Sequence, residues 1–259
     1  MKVTNKVCVV TGAAAGIGRA LAARFVQEGA EAVVAADIAG DLEASAAEIG
    51  AHAKRIDVGT DAGIEELIEQ TEDQFGPIDL FVANAGIGGA PGGPEVPDDE
   101  WQKIWEINVM QHVWIARHMV PRWTERGGGY LLTTASAAGL LSNLGTAPYT
   151  VTKHAAVGLA EWLAITYRDD NIGVSVLCPQ GVRTAMTEGD HPAVTNVVAH
   201  GLVEPDDVAD AVMAGLEAES FHILPHPQVA EYVAHKGQDI ESWLEAMRRL
   251  QRKFFPSTR

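Results

Sequence analysis

Apolar positions along the chain alternate between two patterns. Short runs rich in Val, Ile, Leu and Ala read as strands buried on both faces: Lys6 to Val10, Glu31 to Ala36, Ala51 to Asp57, Ile78 to Ala83, Tyr130 to Thr134, Gly173 to Cys178 and Phe221 to Leu224. Between them lie helical patterns. Gly16 to Gln27 places Ile17, Ala20, Leu21 and Phe25 on one face, and Asp61 to Phe75 does the same with Ile64, Leu67, Ile68 and Phe75. Further helices are predicted over Leu42 to Ile49, a long stretch from about Asp98 to Arg126, Pro148 to Tyr167 and Asp206 to Glu219. Gly76-Pro77 and similar pairs punctuate the pattern as stop signals.

Seven strands separated by helices imply a doubly wound parallel sheet, because parallel neighbours need a crossover. The chain is therefore expected to form one α/β domain over 1–259. Ligands in such folds bind beyond the carboxyl ends of the strands. Two segments follow those ends and lack a clear period: Gly86 to Pro97, rich in Gly and Pro, and a candidate substrate loop at about 186–203. A helical tail is expected over about 227–259, clearest from Asp239 to Phe255, where Ile240, Trp243, Leu244, Met247 and Leu250 share one side.

Charge narrows the possible partners. The 259 residues carry 35 acidic and 19 basic side chains, a net −16, which opposes a phosphate-tracking surface. Neither nucleic acid nor an anionic membrane is an expected partner. Two cysteines, Cys8 and Cys178, are too few for a disulfide framework and suit a reducing compartment. Met1 to Lys6 runs into a short apolar segment without a small-residue cleavage site, so a cytoplasmic protein is expected. No metal site is expected: His222 and His226 are four apart, but Pro225 and Pro227 forbid the helix that would align them.

Chemistry first shows in Thr11-Gly12-Ala13-Ala14-Ala15-Gly16-Ile17-Gly18, set between the first strand and its helix. Glycines there let the backbone approach a pyrophosphate, whose charge meets the free N–H groups of the helix N-terminus. Asp37 ends the second strand and can accept from an adenosine ribose while repelling a 2′-phosphate. No base stands among Ala13, Ala14 and Ala15, so NAD is favoured over NADP.

The spacing Thr-Gly-x-x-x-Gly-Ile-Gly resembles the classical short-chain dehydrogenase/reductase (SDR) family. Further motifs follow in order: Asp57-Val58, Asn84-Ala85-Gly86, Asn108, Ser136, Tyr149-x-x-x-Lys153, and Pro179 followed by Thr184. The resemblance implies a single Rossmann-like domain that transfers hydride between NAD and a secondary alcohol or ketone. It places Asp57 and Val58 at the adenine, Asn84, Ala85 and Gly86 along the cleft, and Pro179, Val182 and Thr184 near the nicotinamide. It also implies a homotetramer, or a homodimer, through the two long helices.

Tyr149 and Lys153 sit four apart on one helix, with Thr146 as a candidate N-cap and Pro148 in the first turn. A free phenol with a pKa near about 10 is a poor base at neutral pH, and a nearby ammonium stabilises the phenolate. By the resemblance, Tyr149 shuttles the proton, Lys153 supports it and holds the nicotinamide ribose, and Asn108 holds a water linking Lys153 to solvent. Ser136, just past the fifth strand, is placed to orient a substrate oxygen.

Gln180 stands where the family usually has glycine in Pro179-Gln180-Gly181-Val182-Arg183-Thr184. Leu140, Leu141, Leu144, Val182 and Met186 are the expected apolar walls of the substrate site, and Trp243 or Phe254 is a candidate closure over it. Two alternatives compete with NAD-dependent turnover: a catalytically silent NAD(H) sensor, and an NADP-dependent carbonyl reductase.

Overall fold

The computed structural model describes residues 1–189, 191–199 and 201–255. Positions 190 and 200 of the expected substrate loop and 256–259 of the expected tail lie outside them. Seven strands form one sheet: β1 (Val7–Thr11), β2 (Ala32–Asp37), β3 (His52–Arg55), β4 (Leu80–Ala83), β5 (Gly129–Thr134), β6 (Ile172–Leu177) and β7 (His222–Ile223). Their order is β3-β2-β1-β4-β5-β6-β7, and every pairing is parallel. The order reverses between β1 and β4, so a crevice opens where their two following loops diverge.

Helices cover both faces. On one face lie α1 (Gly16–Gln27), α2 (Leu42–Ile49) and α8 (Pro205–Glu217); on the other lie α3 (Asp61–Phe75), α5 (Gln111–Arg126) and α6 (Ala147–Thr166). Alternate residues of β1 serve the two cores: Val7 and Val9 face one, Cys8 and Val10 the other. Phe25 and Trp123 are fully buried, and Trp123 Nε1 donates to the Ile78 carbonyl at 2.8 Å. Each such ring contributes on the order of 1.5–3 kcal/mol by leaving water.

Three regions differ from the sequence reading. The long helix from Asp98 is α4 (Asp98–Trp105), a π-turn over Glu106–Met110 and then α5. A π-turn inserts a residue into the helical ladder, which no period of apolar residues reveals. The aperiodic 186–203 segment holds a helix, α7 (Pro192–Val198), too short for a periodic signature; Pro192 opens it and His191 Nδ1 accepts from the Ala193 N–H. The tail is two helices, α9 (Gln228–Gln238) and α10 (Ile240–Phe254), broken at Asp239, whose carboxylate caps α10 through the Ser242 N–H at 3.0 Å. Thr146 stands at the N-cap position of α6 without making a capping bond. Among the described residues no helix is long and apolar enough to cross a membrane.

Candidate active site

The glycine turn after β1 is packed as tightly as backbone allows. A Cβ on Gly18 would run into the Gly12 carbonyl oxygen, and one on Gly12, which has φ +65°, would lie 2.8 Å from Ala85 Cα. No side chain caps α1, so its first N–H groups are left for an anion. Thr11 lies fully buried beneath the turn. Its hydroxyl accepts from the Asn84 N–H at 2.9 Å and the Ala85 N–H at 3.0 Å, and Asn84 Nδ2 donates to the Thr11 carbonyl at 2.9 Å. These bonds lock the loop after β4 to the loop after β1.

At the tip of β2 the Asp37 carboxylate accepts from three backbone N–H groups: Ala14 at 3.0 Å, Ile38 at 2.7 Å and Ala39 at 3.1 Å. A carboxylate has about four acceptor sites, so it retains capacity for a ribose hydroxyl. The cations nearby are engaged: Arg19 with Ser45 and Glu48, Arg55 with Glu43 and the Gly40 carbonyl. Asp57 is exposed and turns onto the Gly59 N–H at 2.9 Å, while Val58 is buried. The free N–H groups at the start of α1 and the remaining acceptor capacity of Asp37 suit the pyrophosphate and ribose of a dinucleotide.

Further along, Ser136 follows β5 with its hydroxyl accepting from the Ala138 N–H at 3.1 Å and donating to the Pro179 carbonyl at 3.4 Å. Lys153 on α6 is buried and donates to the Thr134 carbonyl at 3.1 Å, with its ammonium 5.6 Å from the centre of the Tyr149 ring. Burial pushes Lys153 down to about 8. It also pushes the Tyr149 phenol above its usual value, with the Ser136 hydroxyl pulling the other way. Lys153 by itself thus does not offset the desolvation of Tyr149.

Asn108 sits in the π-turn, where its carboxamide clasps Ile87: Oδ1 accepts from the N–H at 2.9 Å, and Nδ2 donates to the carbonyl at 3.0 Å and to Thr152 Oγ1 at 3.3 Å. This clasp secures the turn beyond Gly86, a position where a Cβ would stand 3.2 Å from Asn108 Oδ1 and 3.4 Å from Lys153 Nζ. Thr184 borders the glycine turn, with its methyl 3.0 Å from where a Gly16 Cβ would be; Val182 points into the core.

In front of Ser136 and Tyr149 lies a cavity of about 620 Å³. Leu141, Met186, Gln180 and Trp243 line it, whereas Leu140, Leu144 and Val182 do not. Leu140 packs on the core beneath, and Leu144 lines a neighbouring hollow with Phe255. These three positions correct the wall expected from apolarity alone, because apolar residues after a strand serve the core and the cavity equally well. Phe254 is likewise absent from the lining.

Three polar residues, Gln111, His112 and Lys236, were not singled out in the sequence, and His226 entered it only as a rejected metal ligand. Gln111 donates to the Ala85 and Ile107 carbonyls. His112 is buried with neither ring nitrogen hydrogen-bonded among the described residues, and burial followed by the Lys153 charge holds its pKa down to about 3. Their signal is a polar stripe, Asn108-Gln111-His112, at helical spacing on a buried face. His226 accepts from the Gln180 N–H at 3.2 Å through Nδ1, and its Nε2 lies 3.1 Å from the Gly181 carbonyl. Lys236 on α9 donates to the Leu140 carbonyl at 2.7 Å and lies 5.1 Å from the centre of the Trp243 ring. Cys8 and Cys178 are buried thiols pushed up to about 12. Among the described residues no cluster of metal ligands occurs.

A sheet that reverses at β1/β4, a glycine turn at that point and a Ser, Tyr and Lys beside one cavity define a dinucleotide-linked oxidoreductase fold. The chain belongs to the short-chain dehydrogenase family, whose model matches residues 6–194. It is 36% identical over 249 residues to 1-deoxy-11-beta-hydroxypentalenate dehydrogenase of Streptomyces avermitilis, covering 93% of this chain and 92% of that protein. It is 33% identical to meso-2,3-butanediol dehydrogenase of Serratia marcescens, covering 85% and 90%. A short-chain dehydrogenase/reductase from Burkholderia phymatum, solved in complex with NAD, superposes with a TM-score of 0.85 at 28% identity, covering 93% and 96%. The chain is accordingly an oxidoreductase of this family.

Proposed function

We propose that the protein is an NAD-dependent dehydrogenase that interconverts a secondary alcohol and its ketone, with Tyr149 as the proton-transferring group. The carrying observation is that Ser136 and Tyr149 line one cavity while Lys153 stands buried with its ammonium 5.6 Å from the centre of the Tyr149 ring. Bound NAD supplies the acceptor for the carbinol C–H electron pair and, in its oxidised form, a positive ring that favours the phenolate. Ser136 donates to the substrate oxygen and orients it. Tyr149 Oη takes the hydroxyl proton during oxidation and returns it during reduction. Lys153 holds positive charge beside the phenolate, and the Asn108 clasp keeps the 84–87 turn in place.

Gly12, Gly16, Ile17 and Gly18 would hold the pyrophosphate, Asp37 the adenosine ribose, Asp57 and Val58 the adenine, and Asn84, Ala85 and Gly86 the inner wall of the cleft. Pro179, Val182 and Thr184 would border the nicotinamide. Asp37 and the paired state of Arg19 and Arg55 favour NAD over NADP. The name of the Streptomyces relative, a hydroxypentalenate dehydrogenase, supports a hydroxyl-bearing substrate.

We read 1–259 as one domain, acting in the cytosol as a homotetramer. Exposed Trp105 on α4, and Trp162 and Ile165 on α6, at 36%, 56% and 81% exposure, favour assembly through these helices. The deciding experiment is a screen of secondary alcohols and ketones with NAD(H) and NADP(H), followed by nicotinamide absorbance. Turnover with NAD that Tyr149→Phe abolishes is the expected result; turnover that survives the substitution rejects the assignment.

A further inference from the structure

The cavity in front of Tyr149 restricts the substrate more narrowly than the reaction does. The carboxyl-terminal helix α10 lines it with Trp243, Ala246, Met247 and Leu250, together with Val197 of α7 and Met186. Among the described residues, none of the side chains lining it is Lys, Arg, Asp or Glu. Its two imidazoles have local neighbours: His191 Nδ1 takes the Ala193 N–H, and His235 Nε2 lies 3.4 Å from Ser242 Oγ.

Ligand pockets span about 300–1,000 Å³, so a space of about 620 Å³ is far larger than a four-carbon alcohol fills. A small substrate would leave apolar walls without contacts, forfeiting dispersion and burial. The walls are also tied in place from several sides. Lys236 bonds the Leu140 and Leu141 carbonyls at 2.7 and 3.4 Å and lies against Trp243, while His226 pins Gln180. A preformed, broad apolar space selects a ligand that is itself broad and rigid, because such a ligand loses little freedom on binding.

We propose that the substrate is a bulky alicyclic secondary alcohol or ketone with a fused-ring skeleton and no phosphate or carrier-bound tail, and that Trp243, Ala246 and Met247 determine this choice. The inference rests on the dehydrogenase reading. Phosphate and thioester-carrier tails are disfavoured because, among the described residues, no lysine or arginine lines the cavity to offset their desolvation.

The test uses the full chain with NAD(H) and a panel of 2-butanol, cyclohexanol, decahydro-2-naphthol and a three-ring secondary alcohol, with acetoacetyl-CoA in the reducing direction. Each added buried methylene favours the larger ligand several-fold, so kcat/KM should rise by about 100-fold or more from 2-butanol to the fused-ring alcohols. Ala246→Phe, which fills the cavity, should collapse that ratio by at least about tenfold. Equal or better turnover of 2-butanol or acetoacetyl-CoA overturns the proposal. Should no compound turn over, binding of the fused-ring ketones to the NADH-loaded protein is read by quenching of Trp243 fluorescence against Trp243→Phe. Saturable quenching that Trp243→Phe removes sustains the substrate class while the dehydrogenase reading fails. Absence of quenching rejects the substrate class.

Discussion

The Lys153 ammonium is buried 5.6 Å from the centre of the Tyr149 ring and donates to the Thr134 carbonyl at 3.1 Å. A buried cation with one backbone acceptor is costly, and its pKa of about 8 records that cost. Below pH 8 the folded protein holds this ammonium at a penalty; as pH rises from 8 towards the unfolded value near about 10.4, the unfolded chain binds more protons and stability increases. Lys153→Met should therefore abolish turnover yet raise Tm at pH 7, by about 2–4 °C for each kcal/mol recovered. Calorimetry of the variant checks this, and a lowered Tm would contradict it.

Asp37 is held by three backbone N–H groups, so removing the carboxylate outright would loosen the turn as well as the site. Asp37→Asn keeps an acceptor and removes the charge. Its ratio of NADPH to NADH affinity should rise by about tenfold or more, since hydrogen bonds to charged groups contribute about 1.5–3 kcal/mol. Fluorescence titration with both cofactors measures the ratio, and an unchanged ratio would deny Asp37 its selective role.

Three histidines make the fold sensitive to acid. His112 is held neutral down to about 3 by burial and the Lys153 charge, and burial also lowers His222 and His226. Their unfolded value is near about 6.5, so the stability they carry is complete above that pH and is lost as pH falls, for His112 until about 3. Between its unfolded and folded values His112 steepens the fall by about 1.4 kcal/mol per pH unit. His112→Leu should flatten the decline of Tm between pH 6 and 4 (about two units of the acid limb), and an unaltered slope would exclude His112 as its source.

Lys236 joins α9 to the segment after Ser136 through the Leu140 and Leu141 carbonyls. Lys236→Met keeps the aliphatic stem and removes the donor. Loss of the charge-assisted bonds to both carbonyls should raise KM for the alcohol by about tenfold while KM for NAD stays within about twofold. Initial-rate kinetics with each substrate varied separately decide the matter; parallel changes in both constants would show a general loosening instead.

Much of the cofactor half was legible along the chain because its chemistry is local. Gly12, Gly16 and Gly18 form one turn, Asp37 ends one strand, and Tyr149 and Lys153 share one helix, so spacing alone relates each group's members. The π-turn at Glu106–Met110, the break at Asp239 and the short α7 were not legible, since five- and seven-residue features carry too little period to detect. Nor could apolarity distinguish Leu141, which faces the cavity, from Leu140, which packs on the core.

What the sequence by itself determined is the seven strands, the longer helices between them, their parallel arrangement and the residues proposed for proton transfer, because backbone period and side-chain chemistry act over a few neighbours. Only the tertiary structure decided which distant groups meet. Asn108 clasps Ile87, 21 positions away, and Gln111 ties Ala85 to the π-turn. His226 holds Gln180 across 46 positions, and Lys236 brings the tail over Leu140 across 96. Such pairings depend on how helices settle on the sheet, where burial and packing of the whole chain outweigh any local preference.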